Sequence, residues 1–124
     1  MQKAHILILD EMPQGIERLK QYLITKGYEA SHARNLHEAF QHAKAKRPDV
    51  IVVGDNFHKR NGFEICEELR SESDTCYANI LLLVSAVDRS VQEQARVAGV
   101  NDVVEKNIDE QSFLKHIETL LNQV

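Results

Sequence analysis

The 124-residue chain holds two prolines, five glycines, two cysteines and no tryptophan. So little Pro and Gly excludes collagen-like and low-complexity chains, and a 43% hydrophobic content excludes full disorder. The cysteines, Cys66 and Cys76, make neither a metal-binding spacing nor a disulfide framework, which suits a reducing compartment. Long apolar runs are also missing. The longest, Ile80 to Val84, falls far short of a bilayer span. The start, Met1-Gln2-Lys3 followed by a short apolar run ending at Asp10-Glu11, reads as neither a signal peptide nor a transit peptide. Positive charge is scarce too: 15 Lys and Arg against 19 acids give a net charge of −4, a poor basis for sequence-independent nucleic-acid binding. What remains predicts one soluble cytoplasmic domain over residues 1–124, with no nucleic-acid or membrane partner.

Strand-length apolar runs alternate with helix-period segments throughout. His5 to Leu9, Val50 to Val53 and Ile80 to Val84 are continuously apolar, as strands buried on both faces are. Tyr28 to His32 and Asp102 to Val104 read as shorter strands. Between them run helical stripes: Ile16, Leu19, Leu23 and Ile24, closed by Gly27; Leu36, Ala39, Phe40 and Ala43, opened by an Asn35/Glu38 capping box; Phe63, Cys66 and Leu69. Val91, Ala95 and Ala98 end at Gly99, and Asp109 caps a last stripe of Phe113, Ile117, Leu120, Leu121 and Val124. Five strands alternating with five helices predict an α/β fold: a flavodoxin-like, doubly wound five-stranded parallel sheet, strand order 2-1-3-4-5, with helices on both faces. Such sheets carry their sites beyond the C-terminal strand ends. Those ends hold Asp10-Glu11, Gly54-Asp55, Ser85-Ala86 and Glu105-Lys106.

At these positions the sequence resembles the receiver domain of bacterial two-component response regulators, over essentially its whole length. Ile6-Leu7-Ile8-Leu9-Asp10-Glu11 is similar to that family's first strand and acidic pair, and Pro48-Asp49-Val50-Ile51-Val52-Val53 to the approach to its phospho-accepting aspartate. Asn61-Gly62 matches the turn before the third helix, Val84-Ser85-Ala86 the hydroxyl motif and Lys106 the lysine. The resemblance implies a magnesium ion on the acidic pair, a phosphoryl group on the aspartate, and the hydroxyl and lysine on its oxygens. A cation offsets the repulsion between carboxylate and donor, and the hydroxyl and ammonium meet charge on the transferring group.

Gapless alignment, however, places Gly54 at the acceptor position, and Asp55 comes one residue late. Side chains alternate along a strand, so Asp55 is expected to point away from the pocket. The family's proline after the lysine is Asn107, its aromatic switch position is Val103, and its loop proline is His58. The expectation is therefore a pseudo-receiver: no catalytic residue and no cofactor, Ser85 and Lys106 as remnant phosphoryl contacts, and at best weak Mg2+ on Asp10 and Glu11. Those two acids have a plainer role available, pairing with Lys106 and keeping the strand edge soluble. Restoring an acid at Gly54 should rebuild the cation site beside them. The protein would bind a signalling partner through the face of its fourth helix, fifth strand and fifth helix, as the resemblance implies, with Lys115, His116 and Glu118 free to read it.

Two alternatives stand beside this reading. One is a phospho-accepting receiver using Asp55 with Mg2+, its loop curling the carboxylate back into the pocket. The other is a flavodoxin-like nucleotide or flavin binder, disfavoured because Asp10-Glu11-Met12-Pro13-Gln14-Gly15 puts two acids where a phosphate needs bare amides. The six histidines show no zinc spacing, and His58-Lys59-Arg60 reads as a solvated loop. Cys66 reads as a core thiol, and Lys44, Lys46 and Arg47 as cations closing a helix. The sequence closes with the last helix, which leaves no room for an output domain and leaves open whether it is a piece of a longer protein.

Overall fold

Continuous apolar runs become strands with both faces covered, because a parallel sheet needs helical crossovers and these coat it on either side. The computed structural model describes residues 3–11, 16–55, 57 and 59–122. Over them run β1 (His5–Leu9), α1 (Ile16–Thr25), β2 (Glu29–Ala33), α2 (Leu36–Ala45), β3 (Val50–Gly54), α3 (Gly62–Ser71), β4 (Asn79–Val84), α4 (Arg89–Ala98), β5 (Asp102–Glu105) and α5 (Glu110–Leu121). The sheet order is β2-β1-β3-β4-β5, every pairing parallel, which is the order expected. The strands differ from the sequence reading by single residues at their ends. The difference that matters is at β3, which extends to include Gly54.

Side-chain alternation divides the core into two. Leu7, Leu9, Ile51, Val53, Ile80 and Leu82 meet Ala39 of α2, Ile65, Cys66 and Leu69 of α3, and Ala98 of α4. The opposite face, with Ile6, Ile8, Val50, Val52, Leu81 and Leu83, packs on Ile16, Leu19 and Leu23 of α1 and Phe113, Ile117 and Leu120 of α5. Ile24 leaves its expected stripe and is 42% exposed, since it lies about 100° round the helix from Leu23. Val124 lies outside the described residues. Burial pushes the Cys66 thiol up to about 12, so it is an inert core group, while Cys76 is exposed.

Caps fall where the sequence places them. Asn35 Oδ1 accepts from the Glu38 N–H at 2.9 Å, and Asp109 Oδ1 from the Ser112 N–H at 2.8 Å. The return bond of the first cap differs from the box expected: Glu38 Oε1 accepts from the N–H of Arg34, not of Asn35. Arg70 fastens the end of α3 to the α4–β5 turn. Its guanidinium donates to the carbonyls of Gly99 (2.9 Å), Cys76 (2.7 Å) and Ala78 (2.6 Å), and to Asn101 Oδ1 (2.6 Å). Gly99 is required there twice over. Its φ is +85°, and a Cβ would lie 3.1 Å from Arg70 Cγ.

Two outcomes follow from these contacts. Arg70→Met leaves three carbonyls and an amide oxygen without their donor and should cost about 2 kcal/mol in urea unfolding, with Arg70→Lys recovering only part, since an ammonium cannot reproduce the fork. His5 is buried at the start of β1, its Nε2 3.0 Å from Ser31 Oγ. Desolvation, then the charge of Lys46, lowers its pKa below the ordinary 6.5. The unfolded chain therefore binds the proton more readily, so this contribution is complete above about pH 6.5 and is lost as pH falls through the folded value. Thermal melts between about pH 7 and pH 5 should show a shallower loss of Tm in His5→Leu than in wild type.

Candidate functional site

The C-terminal edge of the sheet gathers Asp10, Gly54, Asp55, Ser85 and Lys106, each within two residues of the end of β1, β3, β4 or β5. Strand register decides who meets whom. Leu9 pairs with Val53, so Asp10 follows on beside Gly54. Both continue the face set by Ile8 and Val52, towards α1 and α5. The Asp10 backbone is fixed on its other side: its N–H donates to the Ala33 carbonyl at 3.0 Å, and its own carbonyl lies 3.0 Å from His32 Nε2. His32 was not singled out from sequence; no pattern connects it to a residue 22 positions earlier.

Asp10 is only 4% exposed, a buried acid and not a solubilising one, as its plainer role would have had it. Its carboxylate lies in the space a side chain at 54 would fill: a Cβ built on Gly54 would stand 1.9 Å from Oδ2 and 2.6 Å from Cγ. An acid added at 54 would therefore have to displace the Asp10 carboxylate in joining Asp10 and Glu11. The two cannot occupy that volume together while Asp10 keeps its place.

Asp55 is the second correction. It lies just past β3, where strand alternation no longer governs direction, and its carboxylate pairs with the Lys106 ammonium. A Cβ on Gly62 would lie 3.3 Å from both Cα and Cβ of Asp55, so the residue sits against the start of α3 while its Oδ1 reaches the lysine. Lys106 is itself held by its N–H to the Val84 carbonyl at 2.8 Å. Lys106 thus has Asp55 as an ion-pair partner, one that the sequence reading did not give it. Ser85 is exposed and donates no hydrogen bond among the described residues. Glu11 is half-buried and borders a cavity of about 630 Å3 that it shares with Arg34, Leu36, Phe57, Lys59 and Arg60. His58 lies outside the described residues.

The described side chains offer a divalent cation little. Among the described residues no three His, Cys, Asp or Glu side chains gather closely enough to share one. Of the carboxylates at this edge, that of Asp10 lies in the space beside Gly54 and that of Asp55 is paired with a lysine, so a magnesium ion here would rest on few protein oxygens and several waters. What the arrangement does instead is neutralise itself: Asp55 and Lys106 join the loop after β3 to the loop after β5.

On the opposite margin, His116 corrects a further expectation. Its Nδ1 lies 2.5 Å from Asp102 Oδ2, tying α5 to β5, so it is not free to read a partner. Lys115 and Glu118 are exposed beside it. The Asp102–His116 contact spans 14 residues and two elements, which periodicity cannot reveal.

The model of the response regulator receiver domain matches residues 6–118. The chain is 25% identical over 118 residues to Protein PilH of Pseudomonas aeruginosa, covering 95% of this chain and 98% of that one. It is 28% identical to the response regulator MprA of Mycolicibacterium vanbaalenii over 122 residues, which is 97% of this chain and 51% of that relative, so it spans about half of some relatives and nearly all of others. Among solved structures, chemotaxis protein CheY4 of Vibrio cholerae superposes with a TM-score of 0.89 at 24% identity, covering 97% of this chain and 100% of that one. The signal receiver domain of a signal transduction histidine kinase from Syntrophus aciditrophicus superposes with a TM-score of 0.81 at 27% identity, covering 95% and 89%.

With its partners 29% and 30% exposed, the Lys106–Asp55 pair is semi-exposed and its worth is small. Asp55→Asn should lower unfolding stability by about 0.5 kcal/mol at low ionic strength, and the difference from wild type should shrink in about 1 M salt. Urea melts at the two salt concentrations measure both.

Proposed function

Because this chain belongs to the response regulator receiver domain family, we infer that it acts in two-component signalling as a phosphorylation-independent pseudo-receiver, a module that binds a protein partner. Receiver domains are signalling modules, and this reading asks no covalent chemistry of the site. The observation that carries it is Gly54. The residue aligned with the acceptor aspartate has no carboxylate, and the neighbouring Asp10 fills the space where one would begin. A glycine cannot take a phosphoryl group, and a readout that waits on one would never start.

The rest of the site agrees. Ser85 and Lys106 remain at their strand ends, but the lysine is taken up by Asp55 and the serine stands in solvent. Val103, at the aromatic switch position, is half-buried against the α2–α4 side of the core, and an aliphatic side chain of that size has no ring to move. The reading needs no cofactor. No helix among the described residues is long and apolar enough to cross a membrane, which is compatible with a cytoplasmic partner. The face of α4, β5 and α5 is the docking surface we assign, with Lys115 and Glu118 at its α5 margin and Val97, 71% exposed, on α4.

One contact favours a second reading. The Lys106–Asp55 pair sets an acid beside the lysine, as a phospho-accepting receiver would, with the acceptor displaced by one residue. Incubation with a small-molecule phosphodonor and magnesium, followed by intact-mass measurement, separates the two. The expected outcome is no stable adduct. An added phosphoryl group that disappears in Asp55→Asn would overturn the first reading in favour of the second.

A further inference from the structure

We propose that Asp10 is a plug: its carboxylate is the built-in occupant of the notch that Gly54 leaves, and it closes this edge of the sheet to both an acceptor side chain and a divalent cation. The proposal rests on reading Gly54 as the acceptor position and adds what stands in its place.

The crowding at position 54 comes from a single side chain. Three atoms of one side chain crowd the position of a Cβ at 54: Asp10 Oδ2 at 1.9 Å, Cγ at 2.6 Å and Cβ at 3.2 Å. Only a residue without a side chain lets the carboxylate sit there, so the glycine and the aspartate are complementary in shape. Register brings them together, since Asp10 and Gly54 each follow a paired residue of adjacent parallel strands, Leu9 and Val53. The backbone of Asp10 is held on the β2 side through Ala33 and His32, and its carboxylate lies over position 54 of β3. It is 4% exposed, so the carboxylate is enclosed in this space by protein groups and not held out in solvent.

The consequence is a site that supplies its own occupants. Asp10 fills the notch, and Asp55 holds the lysine that would meet an incoming anion. The loops after β1, β3 and β5 are thereby set in one arrangement by contacts internal to the chain. A cation at this edge would have to draw Asp10 out of the notch first, and among the described residues no third ligand stands ready to help.

A four-protein cycle tests this: wild type, Gly54→Ala, Asp10→Ala and the double variant, each melted with and without magnesium chloride. A strand glycine replaced by alanine ordinarily gains stability. Here Gly54→Ala should instead lower Tm, by about 4 °C or more. The same replacement made in the Asp10→Ala protein should leave Tm unchanged or raise it, because the notch is then empty. Magnesium should leave the wild-type Tm unmoved. Gly54→Ala as stable as wild type, strictly additive effects, or a magnesium-driven rise in wild type that Asp10→Ala abolishes would each overturn the proposal. If Gly54→Ala fails to fold, the comparison between Asp10→Ala and the double variant decides: a double variant that folds at least as well supports the plug, and one that also fails overturns it. A phosphoryl adduct on Asp55 would remove phosphorylation independence and leave the plug standing. Loss of the coupling between positions 10 and 54 would do the reverse.

Discussion

Two central strands without an exposed side chain govern everything else in this protein. β1 and β3 are buried along their whole lengths, so they accept only apolar residues between their ends, and polar chemistry is confined to where the strands stop. Parallel pairing sends all the C-terminal stops to one edge. The register of β1 against β3 then acts as a ruler: Leu9 opposite Val53 fixes Asp10 beside position 54 and leaves Asp55 one step beyond it. A slip of one residue would turn Val50 and Val52 out of one core and into the other, which is why the register is not negotiable.

Much of this was legible in the chain. The apolar runs of β1, β3 and β4 and the stripes of α1, α3 and α5 are strong periodic signals, and alternation of strand and helix leaves few topologies. The glycine at 54 and the acid at 55 could be placed by counting alone. What counting could not give was direction. Strand alternation was extended to Asp55, but β3 ends at Gly54, and past a strand end the backbone aims the side chain by its own turn. Nor could spacing show that Asp10 would turn into the glycine's space, that Arg70 would gather three carbonyls, or that His116 would reach Asp102; each is a contact across elements with no sequence period.

The charges of the site make sense as a closed set. An acid and a lysine at about a third exposure attract modestly, because water still screens them, and their pairing orders two loops more than it stabilises the fold. Asp10 is a different case. A buried carboxylate is tolerated only where polar partners answer its charge, and the glycine on the neighbouring strand contributes something separate, the room in which it sits. The same glycine therefore removes an acceptor and makes room for a neighbour. On the proposed reading, the glycine at 54 accounts both for an absent acceptor carboxylate and for the place of the Asp10 side chain.

A pseudo-receiver, as proposed, would take its information from somewhere other than that edge. The α4–β5–α5 margin is where the fold leaves surface uncommitted. α4 buries only Ala95 and Ala98 and keeps Val97 in solvent, and β5 is the short edge strand, with pairing on one side only. Small buried residues let α4 lie close to the sheet while contributing little apolar area to hold it there, so this helix is weakly anchored compared with α5 and its Phe113, Ile117 and Leu120. A weakly anchored helix beside an open sheet edge gives a partner somewhere to bind and something to adjust, and Asp102–His116 keeps β5 joined to the firm helix while it does so. On the proposed reading, recognition would turn on how well a partner fits that margin, set by packing and rim charge.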